Sequence, residues 1–360
     1  MRRWYPFLLG IVFGTLSSCH QKDTPLFKRA SHVLDMPAWT YEKVFEGEIG
    51  KGYKMAFVNK DTGYLFDKVY GKVYTTKDGG KNWTFLKSPA QTNTYLASLR
   101  DVSLVGDQHI FLAIHDIRGC PNQCAPKLCL LKSSDTGQSW QYLHANMEGL
   151  LSEIHFFDAN EGLGIRRTPI INGTSEANLV RTIDGGQSWE IIPSVTKIND
   201  YEFHLQFINR KEGFAVAEGG IYKTLDGGLT WVFIPLETKE IAAGVRGLKF
   251  INAQTGYVAN HLGLYKTTDG GLKWHKLLDG SSEILDFWRE DEGMVIRQIE
   301  SFPNDIPDAN WEMLYTKDGG QNWTKSKPIY NYSVTEAVFL KENIGFVLRG
   351  HQLEVFKKVP

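Results

Sequence analysis

The sequence predicts an all-β protein, a seven-bladed β-propeller whose N-terminal strand closes the last blade. Three observations carry this. First, a tight turn recurs six times, as "TTKDGGKNW", "SSDTGQSW", "RTIDGGQSW", "KTLDGGLTW", "KTTDGGLKW" and "YTKDGGQNW". Its aspartates are Asp78, Asp135, Asp184, Asp226, Asp269 and Asp318, spaced 57, 49, 42, 43 and 49 residues apart, and a Trp stands five places after each. A period in the forties with one turn signal per unit means stacked β-units, most simply propeller blades. Second, a Phe is followed six places on by Gly at Phe57/Gly63, Phe156/Gly162, Phe207/Gly213, Phe250/Gly256, Phe287/Gly293 and Phe339/Gly345, each Gly leading into an apolar run. Third, the two ends of the chain complete one another. "LEVFKKVP" stops just where its Asp turn is due, and "AWTYEKVF" near the start matches the segment after such a turn, with Trp39 in the Trp position.

Each unit therefore reads as four strands. The innermost ends at the Phe, the second begins after the Gly, the third precedes the Asp, and the outermost starts at the Trp. The second unit, "DVSLVGDQHIFLAIH", keeps the strands and loses the Phe/Gly marker, so the count of units is seven although only six Asp turns are complete. Pairing the chain ends in one blade leaves no open sheet edge between first and last blades.

The propeller is expected over residues 37–360. Ahead of it, residues 1–18 carry two Arg, an apolar run from Phe7 to Leu16 and small residues, the layout of a secretory signal too short to span a bilayer. Leu16-Ser17-Ser18-Cys19 resembles the lipobox of bacterial lipoproteins, which implies cleavage before Cys19 and acylation there. Residues 19–36 then read as a polar tether. On this reading the protein is held to the cell envelope by lipid, most simply at the outer membrane. With 40 Lys and Arg against 41 Asp and Glu, the charge gives no reason to expect a nucleic-acid partner.

The turn pattern Ser/Thr-x-Asp-x-Gly-x-Ser/Thr-Trp resembles the Asp-box, or bacterial neuraminidase repeat. The fuller unit, with its Phe, Gly and "Y-K-T-x-D-G-G-x-x-W", is similar to the photosystem II stability/assembly factor family. The resemblance covers nearly the whole mature chain and implies a binding or assembly role. Physically, the Asp carboxylate is expected to accept backbone N–H groups two or three residues on. Gly supplies positive φ, and the Trp packs between blades with its N–H on a carbonyl. All three jobs are structural, so the six aspartates are read as staples.

Function is then expected at the opposite face, where the second strands end and the innermost strands begin. The ligand-binding candidates there are His115, Arg166, Arg167, Glu218, His261, Arg297 and Arg349, with Lys68, Arg100, Asp101, Glu153, His155, His204, Arg246, Glu283 and Glu336 completing a polar ring. Arginines in such a ring can grip carboxylates in bidentate fashion. Three long loops on that face, in blades 2, 3 and 6, suggest a recognition surface, with Trp311 and Phe302 as apolar anchors. Cys120, Cys124 and Cys129 remain after Cys19. A Cys120–Cys124 disulfide is the expectation outside the cytoplasm, a metal site with His115 is the alternative, and the odd count leaves the pairing open.

No G-x-S-x-G, H-E-x-x-H or phosphate-loop motif is present, so no catalytic residue, metal or cofactor is expected. The reading is a lipid-anchored, non-catalytic scaffold for an envelope protein or glycan. The alternative is an exo-sialidase or related glycoside hydrolase, with Arg166, Arg297 and Arg349 clamping a carboxylate. The Arg-Ile/Leu-Pro motif of sialidases is absent, since Arg167-Thr168-Pro169 comes after the second box and lacks the apolar middle residue.

Overall fold

The computed structural model describes residues 39–46, 53–68, 72–86, 99–115, 127–168, 177–193, 195, 204–217, 219–236, 239–242, 245–299, 310–326, 334–340, 344–349 and 352–358. The expected signal and tether, with Cys19, lie outside them, as do Cys120, Cys124, Phe302 and Glu218. Among the described residues no helix is long and apolar enough to cross a membrane.

The chain begins with β1 (Trp39–Glu46). Blade 1 comes next as β2 (Tyr53–Phe57), β3 (Gly63–Asp67), β4 (Val73–Thr76) and β5 (Thr84–Leu86). Blade 2 is β6 (Leu99–Val105), β7 (His109–Ile114), β8 (Lys127–Ser133) and β9 (Gln141–Glu148). Blade 3 is β10 (Leu150–Phe156), β11 (Gly162–Arg167), β12 (Ala177–Thr182) and β13 (Glu190–Ile191). Blade 4 is β14 (His204–Phe207), β15 (Gly213–Ala217), β16 (Gly220–Thr224) and β17 (Val232–Pro235), with a single helical turn, α1 (Lys239–Ala242), behind it. Blade 5 is β18 (Gly247–Phe250), β19 (Gly256–Asn260), β20 (Gly263–Thr267) and β21 (His275–Asp279). Blade 6 is β22 (Ser282–Phe287), β23 (Gly293–Ile299), β24 (Asn310–Thr316) and β25 (Thr324–Lys325).

Blade 7 takes β26 (Val334–Leu340), β27 (Ile344–Arg349) and β28 (Gln352–Lys358) from the C-terminal end and β1 from the N-terminal end, in the order β26-β27-β28-β1. Trp39 lies opposite Lys358, and Tyr41 opposite Phe356. Every sheet is antiparallel and four-stranded. The innermost strands of successive blades touch all the way round, and β26 meets β2, so the ring is closed.

The apolar core lies between blades, and the Phe/Gly marker has a packing reason. A Cβ added to Gly256 would stand 2.6 Å from the Phe250 ring, so only Gly lets that ring lie flat on its own second strand. The other face of Phe250 stacks on Phe214 of blade 4, with centroids 3.5 Å apart, and its edge meets Trp274. Phe57 on Phe346, Phe156 on Phe111 and Phe287 on Tyr257 repeat the joint at 3.5–3.6 Å. Trp39 stands edge-on to Phe339 at 5.9 Å and is buried, which gives blade 7 the tryptophan its missing turn would have supplied.

The Asp turns depart from the expected Asx geometry in one respect. Asp226 accepts from the backbone N–H four residues on, at Thr230 (2.9 Å), from the Thr230 hydroxyl (2.6 Å) and from the hydroxyl of Thr224 two residues back (2.8 Å). The N–H two residues on, at Gly228, goes instead to Thr224 Oγ1 (2.9 Å). The Ser/Thr before each Asp is thus the inner staple, because its buried oxygen both accepts from the Gly and donates to the carboxylate. Thr76, Ser133, Thr182, Thr267 and Thr316 repeat the arrangement. Trp83, Trp189, Trp231 and Trp274 donate to the carbonyl of the second Gly as expected. Trp140 and Trp323 bury the same N–H without a hydrogen-bond partner. The first Gly of the turn donates to a carbonyl of the neighbouring turn between the innermost and second strands, as from Gly227 to Lys211 (2.8 Å). Both turns therefore share one face of the wheel, the box face, and the remaining loops form the opposite face.

Candidate functional site at the channel mouth

The innermost strands bring the expected polar ring together, and the side chains on it link one blade to the next. Lys54 on β2 donates to Asp101 on β6 (2.6 Å), and Asp101 accepts the Ile154 N–H of β10 through its other oxygen (2.9 Å). Glu153 on β10 accepts the Leu205 N–H of β14 (2.9 Å) and lies 3.9 Å from His204. Gln206 of β14 exchanges two hydrogen bonds with the backbone of Phe250. Arg246 faces Glu283 (3.7 Å), and Glu336 faces Lys68 (3.8 Å) across the blade 7 to blade 1 joint, whereas Lys249 and Asp286 pair (2.7 Å) at the other end of their strands, beside Phe250 and Phe287. Lys54, Gln206, Lys249 and Asp286 were not among the candidates. Alternation along the innermost strand would have found Gln206, two residues from His204, whereas Lys54, Lys249 and Asp286 have no candidate two residues away.

Burial at and between the innermost strands perturbs these groups. Burial, reinforced by the charge of Asp101, pushes the Glu153 carboxyl up to about 8. Burial pushes His155 down to about 4. Glu336 and Glu283 are likewise raised by burial, against the pull of nearby cations, and Lys68 is lowered by it. Burial also opposes the charge on Lys54, but Asp101 and Glu336 outweigh it and hold the amine above its ordinary range. The mouth is therefore a set of acids and bases whose charges compensate one another across the blade joints.

The other candidates are placed differently. Arg166 donates to Glu148 O (2.5 Å) and Asn178 Oδ1 (2.8 Å), and Arg167 to Ser152 Oγ (3.0 Å). Arg297 is ion-paired with buried Glu312 on the adjacent strand of its own blade. Arg166 and Arg297 are thus held within separate sheets. Arg349 ends β27, its side chain being outside the described part of the chain. His261 is exposed in the two-residue turn joining β19 to β20, and His115 is half-buried where the blade 2 loop departs. Trp311 packs on the core between blades 6 and 7. Cys129 is buried in β8, its sulfur 3.6 Å from His144 Nδ1. Among the described residues no group of three or more metal-ligating side chains occurs.

Residues 132–301 match the family model described as photosynthesis system II assembly factor YCF48. The chain resembles the YCF48 assembly factors. No curated protein matches it. Among solved structures, "YCF48 bound to D1 peptide" superposes with a TM-score of 0.63 at 16% identity, over 91% of this chain and 97% of that one. YCF48 from Cyanidioschyzon merolae gives 0.59 at 17% identity, over 90% and 99%. The GH74 xyloglucanase from Xanthomonas campestris gives 0.60 at 13% identity, over 88% of this chain and 53% of the enzyme. At such identities the likeness is one of fold, a seven-bladed propeller.

Proposed function

We propose that the protein is a lipid-anchored envelope scaffold that binds a segment of a protein partner at the channel mouth, without catalysing a reaction. The observation that carries this is the set of compensating charges at the mouth-side part of successive innermost strands, Lys54–Asp101, Glu153–His204, Arg246–Glu283 and Lys68–Glu336. Such a set offers donors and acceptors to a peptide of mixed charge, and the sequence carries long insertions between the second and third strands of blades 2, 3 and 6. The YCF48 structure with a bound D1 peptide supports a protein ligand for a propeller of this kind. The lipid anchor is proposed at Cys19, on the lipobox-like Leu16-Ser17-Ser18-Cys19.

The sialidase alternative needs three convergent guanidinium groups. Arg297 bound to Glu312 and Arg166 bound to Asn178 do not supply them, so the scaffold reading is preferred. The test is a crosslinked pull-down from envelope membranes with the wild-type chain and a variant shortened within 300–309, the blade 6 loop. The scaffold reading expects the variant to lose a partner that the wild type captures. An unchanged partner set would move the site away from this loop.

A further inference from the structure

The six Asp turns form an internal comparison, because the same backbone presents the same two exposed positions in each. One is the residue before the Asp, and the other lies three places after it. Round the wheel these pairs are Lys77 and Lys81, Ser134 and Gln138, Ile183 and Gln187, Leu225 and Leu229, Thr268 and Leu272, and Lys317 and Gln321. Blades 1, 2 and 6 carry only polar or charged residues there. Blades 3, 4 and 5 carry Ile183, Leu225, Leu229 and Leu272, exposed by 68, 62, 50 and 59% respectively. Ile191, Val232 and Phe233, which come after the box tryptophans, are also exposed, as is Phe85 at the equivalent rim position of blade 1, so the tips and not the rim set this sector apart. A turn that folds with Lys or Gln at these places gains nothing in stability from exposed Leu, so a contiguous apolar sector marks a contact surface.

The path of the chain says what covers it. Trp39 opens β1 at the place of a box tryptophan, so β1 enters blade 7 from the box face. That is the same face, across the wheel from blade 4. Between Cys19 and Trp39 the chain can span at most roughly 70 Å, and Lys77 and Lys317 stand on the two blades beside the approach. A propeller held to lipid through that segment has its box face free to settle on the bilayer. The cationic tips then sit near anionic headgroups on one side, and the apolar tips enter the interface on the other.

Resting on the Cys19 anchor reading, we propose that Ile183, Leu225, Leu229 and Leu272 form a bilayer-contacting surface. With the box face seated on the membrane, the mouth faces the aqueous compartment. Polar or charged residues at the equivalent tips of blades 1, 2 and 6 show that the fold does not require these four.

The test uses the full chain in its envelope membrane with p-benzoylphenylalanine at position 229, and in separate chains at 317 and at 261. Position 317 is the equivalent tip of blade 6 and position 261 is at the mouth. After irradiation, membrane and aqueous fractions are separated and the labelled peptides are weighed. The expected result is at least tenfold more lipid adduct at 229 than at 261, with 317 between them. A chain in the membrane fraction whose position 229 couples to protein, or gains no more lipid than 261, overturns the proposal and leaves the anchor standing. A chain recovered in the aqueous fraction overturns the anchor reading and this proposal together.

Discussion

Replacing Thr224 by Val should cost more stability than replacing Asp226 by Ala, although Asp226 is the residue the repeat advertises. Thr224 is 1% exposed, and its oxygen accepts the buried Gly228 N–H at 2.9 Å while donating to Asp226 at 2.8 Å. Val keeps the shape and leaves that N–H buried without a partner, a loss of about 1–3 kcal/mol. The lost link to the carboxylate brings the expectation to about 2–3 kcal/mol. Asp226 is exposed, and its donors at Thr230 are exposed too. Water replaces the carboxylate when it is removed, so Asp226→Ala should cost about 1–2 kcal/mol, the range for losing a side-chain cap. Urea unfolding monitored by far-ultraviolet circular dichroism gives both values from the midpoint shift at constant slope. A larger loss for Asp226→Ala than for Thr224→Val would refute the inner-staple reasoning.

Other expectations rest on the same contacts. Phe250→Ala removes the stack on Phe214 and opens a cavity at a blade joint, and should cost about 3–5 kcal/mol in the same urea assay. Thr136 holds φ at 61° where five other boxes place Gly, so Thr136→Gly should raise the unfolding midpoint by the equivalent of about 1 kcal/mol. Between its ordinary 4.5 and about 8, Glu153 keeps in the folded chain a proton that the unfolded chain has lost, so stability falls as pH rises through that window. His155, lowered from 6.5 to about 4, has the opposite effect between those two values, which confines the net fall from this pair to pH 6.5–8. Thermal melts should show the wild type losing stability over that window at no more than about 1.4 kcal/mol per pH unit, and Glu153→Gln should flatten the loss. An equal slope in the variant would exclude Glu153 as its source.

The blades were legible because each repeats its own short-range chemistry. Gly follows Phe at six places since the ring needs a bare Cα, and Trp follows Asp at five because the turn returns it to the core. Ring closure was legible from two fragments of one motif, "LEVFKKVP" and "AWTYEKVF", at opposite ends of the chain. The hydroxyl before the Asp stood in the motif, but its work depends on a turn geometry in which the carboxylate reaches the fourth N–H and leaves the second to Thr. Partners at the mouth were less legible. Asp101 meets Lys54 and Ile154 across two blade joints, 47 and 53 residues away, so no local pattern announces them. Arg297 illustrates the opposite case. Its partner Glu312 is its register neighbour in the same sheet, and a strand alignment of blade 6 would have withdrawn it from an arginine clamp.

Recognition across the wheel from the aspartates can be tested with an amine-reactive crosslinker on the captured complex, because lysines mark both faces. Lys68 and Lys72 flank the mouth in blade 1, whereas Lys77, Lys81 and Lys317 sit on box turns. Mass spectrometry of the crosslinked peptides should join the partner to Lys68 or Lys72 and leave the three box lysines joined to no partner peptide. Partner crosslinks confined to Lys77, Lys81 and Lys317 would contradict the account.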